Sequence, residues 1–312
     1  MIIITGGLGF IGSSIANKIR EFSNEEILIV DNFSNGKKFL NLNFYDKVNF
    51  IDSDIFYNKD INNLNPKKIK AIFHQGACSD TTEWNGNIIL KKNLNSSKII
   101  FDYAKKNNLR LIYASSASVY GSNNKFKEDR KNEKPINLYA LSKLLFDNYV
   151  RLNTNKKTRV TGLRYFNVYG VNEYHKQNMS SPILKFYEQY HKDKYIKLFK
   201  GTNGVKNGEQ KRDFIYIDDV VDINLWFLKN SIQGIYNVGT GVPRSFNDIA
   251  NCMIKVLPKL KKKYITFPKN LIGSYQNYTC ADLYNLKKIG YSNKFTKLEI
   301  GIKKYINHLN KA

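Results

Sequence analysis

Short apolar runs alternate with longer amphipathic stretches through the first half of the chain. Residues 2–4, 27–30, 48–51, 71–73, 111–114 and 160–163 have the length and β-prone composition of buried strands. Helical periodicity occupies about 87–106, 138–152 and 182–192. This alternation predicts βαβ units and an α/β fold with a doubly wound parallel sheet.

The second half predicts fewer strands. A short strand near 213–217 leads into a helix over about 218–229, and a strand at 234–238 precedes a helix at 246–256. Residues 282–309 have the periodicity of two further helices. The polar, glycine-rich segment 201–208 predicts an exposed, mobile loop.

The first strand runs directly into a glycine turn and then into a helix. Gly6, Gly9 and Gly12 carry no Cβ, so backbone N–H groups and the positive end of the helix can approach a pyrophosphate. Asp31 ends the second apolar run at about the spacing from this turn where an acidic residue contacts a dinucleotide ribose. The pattern indicates a Rossmann-type dinucleotide-binding domain. An ordinary glycine-rich βα turn is the alternative.

Two discontinuous domains are expected. The dinucleotide-binding domain is predicted to comprise residues 1–170 plus 213–240. A smaller α/β substrate-binding domain is predicted to comprise 171–212 plus 241–312. A chain of 312 residues with 42% hydrophobic residues can hold cores of this size.

Composition narrows the class of protein further. No apolar run reaches the roughly 18 residues of a membrane span, and the first strand begins at residue 2, so we expect a cytoplasmic protein without a signal peptide. Neither the three cysteines nor the four histidines have metal-ligand spacing, so no metal is expected. The net charge of +24 comes from lysines spread along the chain, which favours general lysine enrichment over a nucleic-acid site. Such a field would attract an anionic sugar nucleotide.

A second pattern points to proton transfer. Tyr139 and Lys143 lie four residues apart, on one face of a predicted helix. The lysine is expected to lower the pKa of the tyrosine, which could then exchange a proton with a substrate hydroxyl. Ser116, at the end of a predicted strand, could hydrogen-bond the same hydroxyl. By itself, this tyrosine–lysine spacing is more often found on an exposed helix face that has no catalytic role.

Together these motifs resemble the extended short-chain dehydrogenase/reductase superfamily, whose members act on nucleotide-activated sugars. Within it, the chain is similar to the ADP-heptose 6-epimerases over many stretches: 31–32, 37–39, 73–84, 165–170, 173–176, 211–214, 224–228, 273–276 and 279–282. The resemblance implies epimerisation at C6 of ADP-D-glycero-D-manno-heptose to the L-glycero epimer through a 6-keto intermediate. The product serves lipopolysaccharide inner-core biosynthesis. The resemblance further implies one tightly held NADP per subunit and a homo-oligomer, a homopentamer in that family.

The resemblance also implies roles for individual residues. The catalytic residues would be Ser116, Tyr139, Lys143 and Lys176, with Lys176 as a second acid/base group whose pKa is lowered by desolvation. The cofactor-binding residues would be Gly6, Gly9, Phe10, Ile11, Gly12, Asp31, Asn32, Lys38, Gln75, Gly76, Ala77, Cys78, Ser79, Asn93, Lys143, Val168 and Lys176. The substrate-binding residues would be Ser116, Asn167, Asn178, Lys185, Phe199, Lys200, Gly201, Thr202, Arg212 and Tyr275. Asn178 and Lys185 depart from the family, which more often has serine and histidine there.

The cofactor could be NADP or NAD. Asp31 alone favours NAD, since a carboxylate binds the ribose 2′-hydroxyl and repels a 2′-phosphate. Lys38 lies seven residues further on and can offset that repulsion. We therefore expect NADP, with NAD as the alternative.

Three other functions remain open. A UDP-hexose 4-epimerase would not need Lys176, and a dTDP-glucose 4,6-dehydratase would carry an Asp-Glu pair beside Ser116. A non-catalytic nucleotide- or RNA-binding member commonly lacks the tyrosine or the lysine.

Three residues with reactive or aromatic side chains are expected to be structural: His74 packs at a strand end, Trp84 anchors its loop, and Cys78 lies near the cofactor only because its loop does.

Overall fold

The computed structural model describes residues 1–202, 204–268 and 276–311. The strands are β1 (Ile2–Thr5), β2 (Ile27–Asp31), β3 (Val48–Asp52), β4 (Ala71–His74), β5 (Arg110–Ser116), β6 (Val160–Tyr165), β7 (Asn167–Tyr169), β8 (Tyr195–Phe199), β9 (Lys211–Tyr216), β10 (Gly234–Val238), β11 (Pro243–Ser245) and β12 (Lys261–Ile265). The α-helices are α1 (Phe10–Phe22), α2 (Ser53–Asn58), α3 (Gly86–Ile89), α4 (Ser96–Lys106), α5 (Leu138–Asn153), α6 (Pro182–Asp193), α7 (Ile217–Lys229), α8 (Phe246–Ile254), α9 (Tyr284–Lys288) and α10 (Leu298–Leu309).

Seven strands form one parallel sheet in the order β10-β6-β5-β4-β1-β2-β3. The chain leaves β1 for β2 on one side and later returns to β4 on the other, so the strand order reverses between β1 and β4. In such sheets the crevice beyond the carboxyl ends of the strands, at this point of reversal, is where ligands bind. The predicted α/β doubly wound fold is confirmed.

Both faces of this sheet are covered. Along β1, Ile2 and Ile4 pack into one apolar cluster and Ile3 into the other, as expected when successive side chains point to opposite faces. This two-sided burial explains why the strands have continuous apolar runs in the sequence. The carboxyl ends of the strands are therefore held by a rigid core.

Two smaller sheets lie outside the large one. Strand β9 pairs with β7 in parallel and with β11 antiparallel, while β8 pairs with β12 in parallel. The sequence patterns did not predict β8 or β12, because β8 is short with Lys197 at its centre, and lysines make up most of β12. The boundaries of the two predicted domains stay a prediction.

The helix predicted over about 87–106 is correct in place but not uniform. It consists of α3, a π-helical segment at Leu90–Asn95 and α4. π-Helical turns are rare and occur frequently at functional sites. Elsewhere, no helix in the described part of the chain is long and apolar enough to cross a membrane.

Candidate active site

The glycine turn after β1 is closed by contacts that leave no room for side chains. A Cβ on Gly6 would lie 2.7 Å from the backbone of Gly76, and one on Gly12 would lie 2.2 Å from the carbonyl oxygen of Gly6. Gly6 also has a φ of +63°, which favours glycine. No side chain caps α1 at Gly9, so the N–H groups of its first turn face the crevice without a side-chain acceptor. These features fit the pyrophosphate of a dinucleotide.

Asp31 ends β2 beside this turn, and both of its carboxylate oxygens accept hydrogen bonds. Its Oδ2 accepts the N–H of Leu8 at 2.9 Å, and its Oδ1 accepts the Nζ of Lys38 at 2.6 Å. Lys38 also donates to Oδ1 of Asn32 at 3.3 Å. The structure thus brings together the acidic residue, the asparagine and the lysine expected to contact the adenosine ribose.

The segment after β4 lies against the glycine turn on the other side. Gly76 donates its N–H to Oγ1 of Thr5 at 3.1 Å, and the side chain of Gln75 bonds the hydroxyl of Tyr165 at 3.1 Å. The fully buried Asn93 bonds both backbone groups of Cys78 and donates to Oγ of Ser142 at 3.0 Å. The rest of this predicted cofactor segment, Ala77 and Ser79, is continuous with these residues.

Ser116, Tyr139 and Lys143 converge where β5 ends beside α5. Ser116 ends β5, and its side chain is near enough to Tyr139 to lower the pKa of the tyrosine. The Nζ of Lys143 donates to the carbonyl oxygen of Ala114 at 2.9 Å and lies 6.0 Å from the centre of the Tyr139 ring. The sequence therefore predicted the assembly of these three side chains.

The predicted electrostatics of Tyr139 is wrong. Burial raises the pKa of Tyr139 above its usual value, the hydrogen bond from Ser116 offsets part of this, and the nearby Cys78 thiol adds to it. Burial also lowers the pKa of Lys143 to about 8, with Asp147 acting in the opposite direction. Lys143 fails to lower the tyrosine pKa because its ammonium is directed at a backbone carbonyl and both groups are desolvated.

Lys176 lies in the 3₁₀ segment Tyr174–Met179, against the dinucleotide turn. Its Nζ is 5.3 Å from the centre of the Phe10 ring. Burial lowers the pKa of Lys176, Glu173 opposes that shift and Lys185 adds to it. A lowered pKa is what we expect for a lysine that exchanges protons near neutral pH. The contact with Phe10 also places Lys176 next to the predicted cofactor site.

Two predicted substrate residues lie near Lys176. The Nζ of Lys185, on α6, donates to the carbonyl oxygen of Asn178 at 2.7 Å. The side chain of Asn178 is exposed, so its predicted role stays a prediction. Asn167 and Val168 are half-buried on β7, where Oδ1 of Asn167 accepts from the Thr279 hydroxyl at 3.5 Å.

The other predicted substrate residues form a second group around β8 and β9. Phe199 ends β8 and its ring packs against that of Phe267, while Lys200 bonds the backbone of Ile265. Thr202 and Gly201 begin the loop that follows, and Arg212 is buried on β9, where it donates to the Lys211 carbonyl oxygen. Tyr275 lies outside the described residues.

The loop after Gly201 is exposed in part, as predicted, at Gly204, Lys206 and Asn207. Gly208 donates its N–H to the carbonyl oxygen of Phe199 at 3.0 Å, and Gly208 and Gln210 are both buried. The side chain of Asn207 accepts from the Gly201 N–H at 2.9 Å. The prediction of exposure is therefore confirmed for part of the loop, whereas its end at Gly208 is tied to the end of β8.

Three residues were expected to be structural, and the prediction that Trp84 anchors its loop is wrong. Its side chain is 68% exposed, so it does not anchor the loop. His74 packs as predicted: it is buried between Thr5 and Ser97, with ring nitrogens 2.6 Å and 2.8 Å from their hydroxyl oxygens. Cys78 lies beside Tyr139, as its electrostatic effect on that residue shows.

Several polar residues that support the site were missed. Asp147 lies four residues beyond Lys143 on α5, fully buried, where it binds the hydroxyls of Tyr113 and Ser115 and the guanidinium of Arg164. Its spacing from Lys143 was a usable signal, because residues four apart share a helix face. Asn41 and His175 also hold parts of the site together. Neither has a spacing in the sequence that could have singled it out.

Comparison with known proteins decides the family. A model of the NAD dependent epimerase/dehydratase family matches residues 2–239. The chain belongs to this family. Sugar-nucleotide epimerases and dehydratases share its Rossmann-type fold, and the family is NAD dependent by description, which supports a nicotinamide dinucleotide as cofactor.

Solved structures of family members are similar over the whole chain. ADP-L-glycero-D-manno-heptose-6-epimerase of Helicobacter pylori is 34% identical, with a TM-score of 0.87, and the match covers 100% of this chain and 96% of that one. UDP-N-acetylglucosamine 4-epimerase of Methanobrevibacter ruminantium is 25% identical, with a TM-score of 0.86 and coverage of 100% and 98%. UDP-glucose 4-epimerase of Thermotoga maritima is 25% identical, with a TM-score of 0.83 and coverage of 99% and 98%. This epimerase/dehydratase therefore resembles enzymes with different sugar substrates.

Proposed function

We propose that this family member is an isomerase that epimerises C6 of the heptose in ADP-D-glycero-D-manno-heptose, giving the L-glycero epimer for the lipopolysaccharide inner core. The observation that carries the proposal is Lys176, which lies against Phe10 of the dinucleotide turn as a second proton-exchanging group in addition to Tyr139. A 4-epimerase has no need of it. The 34% identity with the H. pylori heptose epimerase over almost the full length of both chains supports the same substrate.

The chemistry needs two acid/base groups for a geometric reason. In the two C6 epimers, the hydroxyl points in opposite directions when the same hydrogen faces the cofactor. When bound, the nicotinamide supplies reversible acceptance of that hydride at its C4. One protein group must then take the proton from the hydroxyl of one epimer, and another must return a proton to the oxygen of the other epimer.

Tyr139 and Lys176 have environments that suit these two tasks. Burial raises the pKa of the tyrosine and keeps its Oη protonated, ready to donate to a ketone oxygen. Burial lowers the pKa of the lysine and increases the fraction of Nζ that can accept a proton from a hydroxyl. In the reverse direction each group performs the other step. Ser116, next to Tyr139, orients the same oxygen.

For the cofactor we propose NADP. The residues would hold it in three groups: Gly6, Gly9 and Gly12 with the N-terminus of α1 for the pyrophosphate, Asp31, Asn32 and Lys38 for the adenosine ribose, and Gln75 with Asn93 for the nicotinamide half. The Nζ of Lys38 neutralises Asp31 at 2.6 Å, which removes the repulsion that the carboxylate would exert on a 2′-phosphate. NAD is the alternative.

The decisive experiment is incubation of the purified protein with ADP-D-glycero-D-manno-heptose, with the anomeric and C6 proton signals followed by NMR. We expect an equilibrium mixture of the two epimers, and loss of conversion in Tyr139→Phe and in Lys176→Met. Tyr284→Phe and Lys192→Met are matched controls, since both side chains are exposed and remote from these contacts. Absence of conversion by wild-type protein with NADP bound would refute the heptose assignment, and UDP- and dTDP-hexoses would then be tested.

A further inference from the structure

The segment that carries Lys176 is closed at its base by one buried carboxylate. Oε2 of Glu173 accepts the N–H of Ser181 at 2.6 Å, and Oε1 accepts the Ser181 hydroxyl at 2.6 Å. Glu173 is fully buried. Residues 174–180 therefore form a loop whose two ends are held together, and whose far side must find its place by other contacts.

The bond from Lys185 to the Asn178 carbonyl oxygen is one of those contacts, and Asn41 supplies another. Its Nδ2 donates to the carbonyl oxygen of Leu8 at 2.8 Å and lies 3.2 Å from Nδ1 of His175. Its own carbonyl oxygen accepts Nδ2 of Asn172 at 3.0 Å. One buried asparagine thus binds the glycine turn and, through residues on either side of Glu173, the segment that carries Lys176.

The same asparagine is linked to the ribose end of the predicted cofactor site. Asn41 is the last residue of the 3₁₀ helix Gly36–Asn41, which also carries Lys38, the partner of Asp31. Asp31 accepts the N–H of Leu8, while Asn41 donates to the carbonyl oxygen of that same residue. The two backbone groups of Leu8 are therefore bound by Asp31 and Asn41, and Lys38 connects these two because it pairs with Asp31 and lies on the same 3₁₀ helix as Asn41.

His175 is neutral in this contact. Burial lowers its pKa to about 4, and the nearby cations Lys38 and Lys176 lower it further, with Asp31 acting in the opposite direction. A neutral imidazole with its proton on Nε2 presents Nδ1 as the acceptor that the Asn41 amide requires. His175 thus contributes a hydrogen bond and no charge beside Lys176.

We propose that His175 and Asn41 are positioning residues that hold Lys176 against Phe10. They also connect the placement of Lys176 to the 3₁₀ helix Gly36–Asn41, whose Lys38 is expected to contact the adenosine ribose. A single lysine among many becomes a proton-exchanging group only if its Nζ is held in a desolvated place. Here the Glu173 bonds hold the ends of the segment together, and the His175–Asn41 bond fixes the residue next to Lys176. The inference rests on the proposed function as far as Lys176 acts as an acid/base group.

Lysine titration tests the positioning without any substrate. The pH dependence of reductive methylation with isotopically labelled formaldehyde, followed peptide by peptide by mass spectrometry, gives a midpoint for Lys176. In His175→Phe and Asn41→Leu we expect this midpoint to rise by half a pH unit or more, because the ammonium becomes better solvated. The midpoint of Lys143 should stay unchanged in the same samples. Since His175 is neutral, its replacement removes no charge, and the shift reports position.

Control variants show whether a change in the Lys176 midpoint comes from the His175–Asn41 contact. His191→Phe and Asn43→Leu change exposed side chains of the same types and should leave the Lys176 midpoint as in wild type. His175→Gln retains a side-chain acceptor and should restore part of the shift. If Asn41→Leu does not fold, His175→Phe decides alone. Identical Lys176 midpoints in wild type and folded His175→Phe would overturn the proposal.

A second readout separates this inference from the proposed function. With each heptose epimer and bound cofactor, absorbance at 340 nm follows hydride transfer in a single turnover. We expect His175→Phe to slow the half-reaction of one epimer tenfold or more and to leave the other within about twofold. Equal slowing of both would indicate a structural role only. If wild type transfers hydride from neither epimer, the proposed function fails, whereas the lysine titration still decides the positioning.

Discussion

Asn93 and Cys78 exchange two hydrogen bonds: Oδ1 of Asn93 accepts the Cys78 N–H at 2.7 Å, and its Nδ2 donates to the Cys78 carbonyl oxygen at 3.0 Å. The same amide donates to Oγ of Ser142, which lies between Tyr139 and Lys143 on α5. The π-helical segment Leu90–Asn95 presents this side chain. One buried amide therefore joins the loop after β4 to the helix that carries the tyrosine and lysine.

Replacement of Asn93 should disrupt both parts at once. Asn93→Leu leaves the two backbone groups of Cys78 without partners in a buried place, so we expect the free energy of unfolding to fall by about 2–4 kcal/mol. Dinucleotide affinity should fall with it. Denaturant unfolding and a fluorescence titration measure the two effects. Asn95→Leu, two residues on and exposed, is the control, and an equal loss in both variants would show that the buried bonds are not the cause.

The glycine turn offers a sharper steric test. In Gly12→Ala the new Cβ would lie 2.2 Å from the Gly6 carbonyl oxygen, and the obstacle is backbone that cannot move aside. We expect a loss of stability of about 1–3 kcal/mol and loss of dinucleotide binding. Gly86→Ala places a Cβ in open space and should leave both unchanged. Thermal unfolding with and without NADP gives the comparison, and tight NADP binding by Gly12→Ala would contradict this view of the turn.

Lys38 should decide between the two cofactors. In Lys38→Met, Asp31 loses its partner at 2.6 Å and is free to repel a 2′-phosphate. The ratio of NADP to NAD affinity should therefore fall roughly tenfold, which corresponds to ~1.4 kcal/mol. Lys37→Met changes the neighbouring exposed lysine and should leave the ratio unchanged. Fluorescence titrations with both dinucleotides measure it, and an unaltered ratio in Lys38→Met would argue against a role in cofactor choice.

His74 should make stability depend on pH. Burial lowers its pKa to about 3, with Lys143 adding to the shift, so the folded protein keeps it neutral while the unfolded chain takes up a proton below its usual value near 6.5. This contribution to stability is complete above that pH and decreases as the pH falls toward 3. Between pH 7.5 and 5, wild type should lose about 2 kcal/mol more than His74→Gln. Urea unfolding at the two pH values checks this, and parallel losses would contradict a neutral His74.

The parts of this protein that could be predicted from sequence depend on local spacing. The glycine turn between an apolar strand and a helix, and Tyr139 with Lys143 one helical turn apart, are patterns within a dozen residues. Continuous apolar runs identified the strands of the large sheet, because both of its faces are buried. Strand β12 escaped prediction, since lysines fill most of its positions and only pairing with β8 makes it a strand.

Other features depend on residues far apart in the chain. The elevated pKa of Tyr139, the exposure of Trp84 and the seat of Lys176 beside Phe10 all depend on which distant segments pack together. The backbone hydrogen bonds of a helix join residues only four positions apart. The amino-acid order alone therefore determined the strand–turn–helix at the start of the chain and the placement of Tyr139 and Lys143 on one face of a helix. Desolvation and charge act through space, so only the packed chain decided that Lys176, out of many lysines, has its Nζ 5.3 Å from the centre of the Phe10 ring, beside the dinucleotide turn.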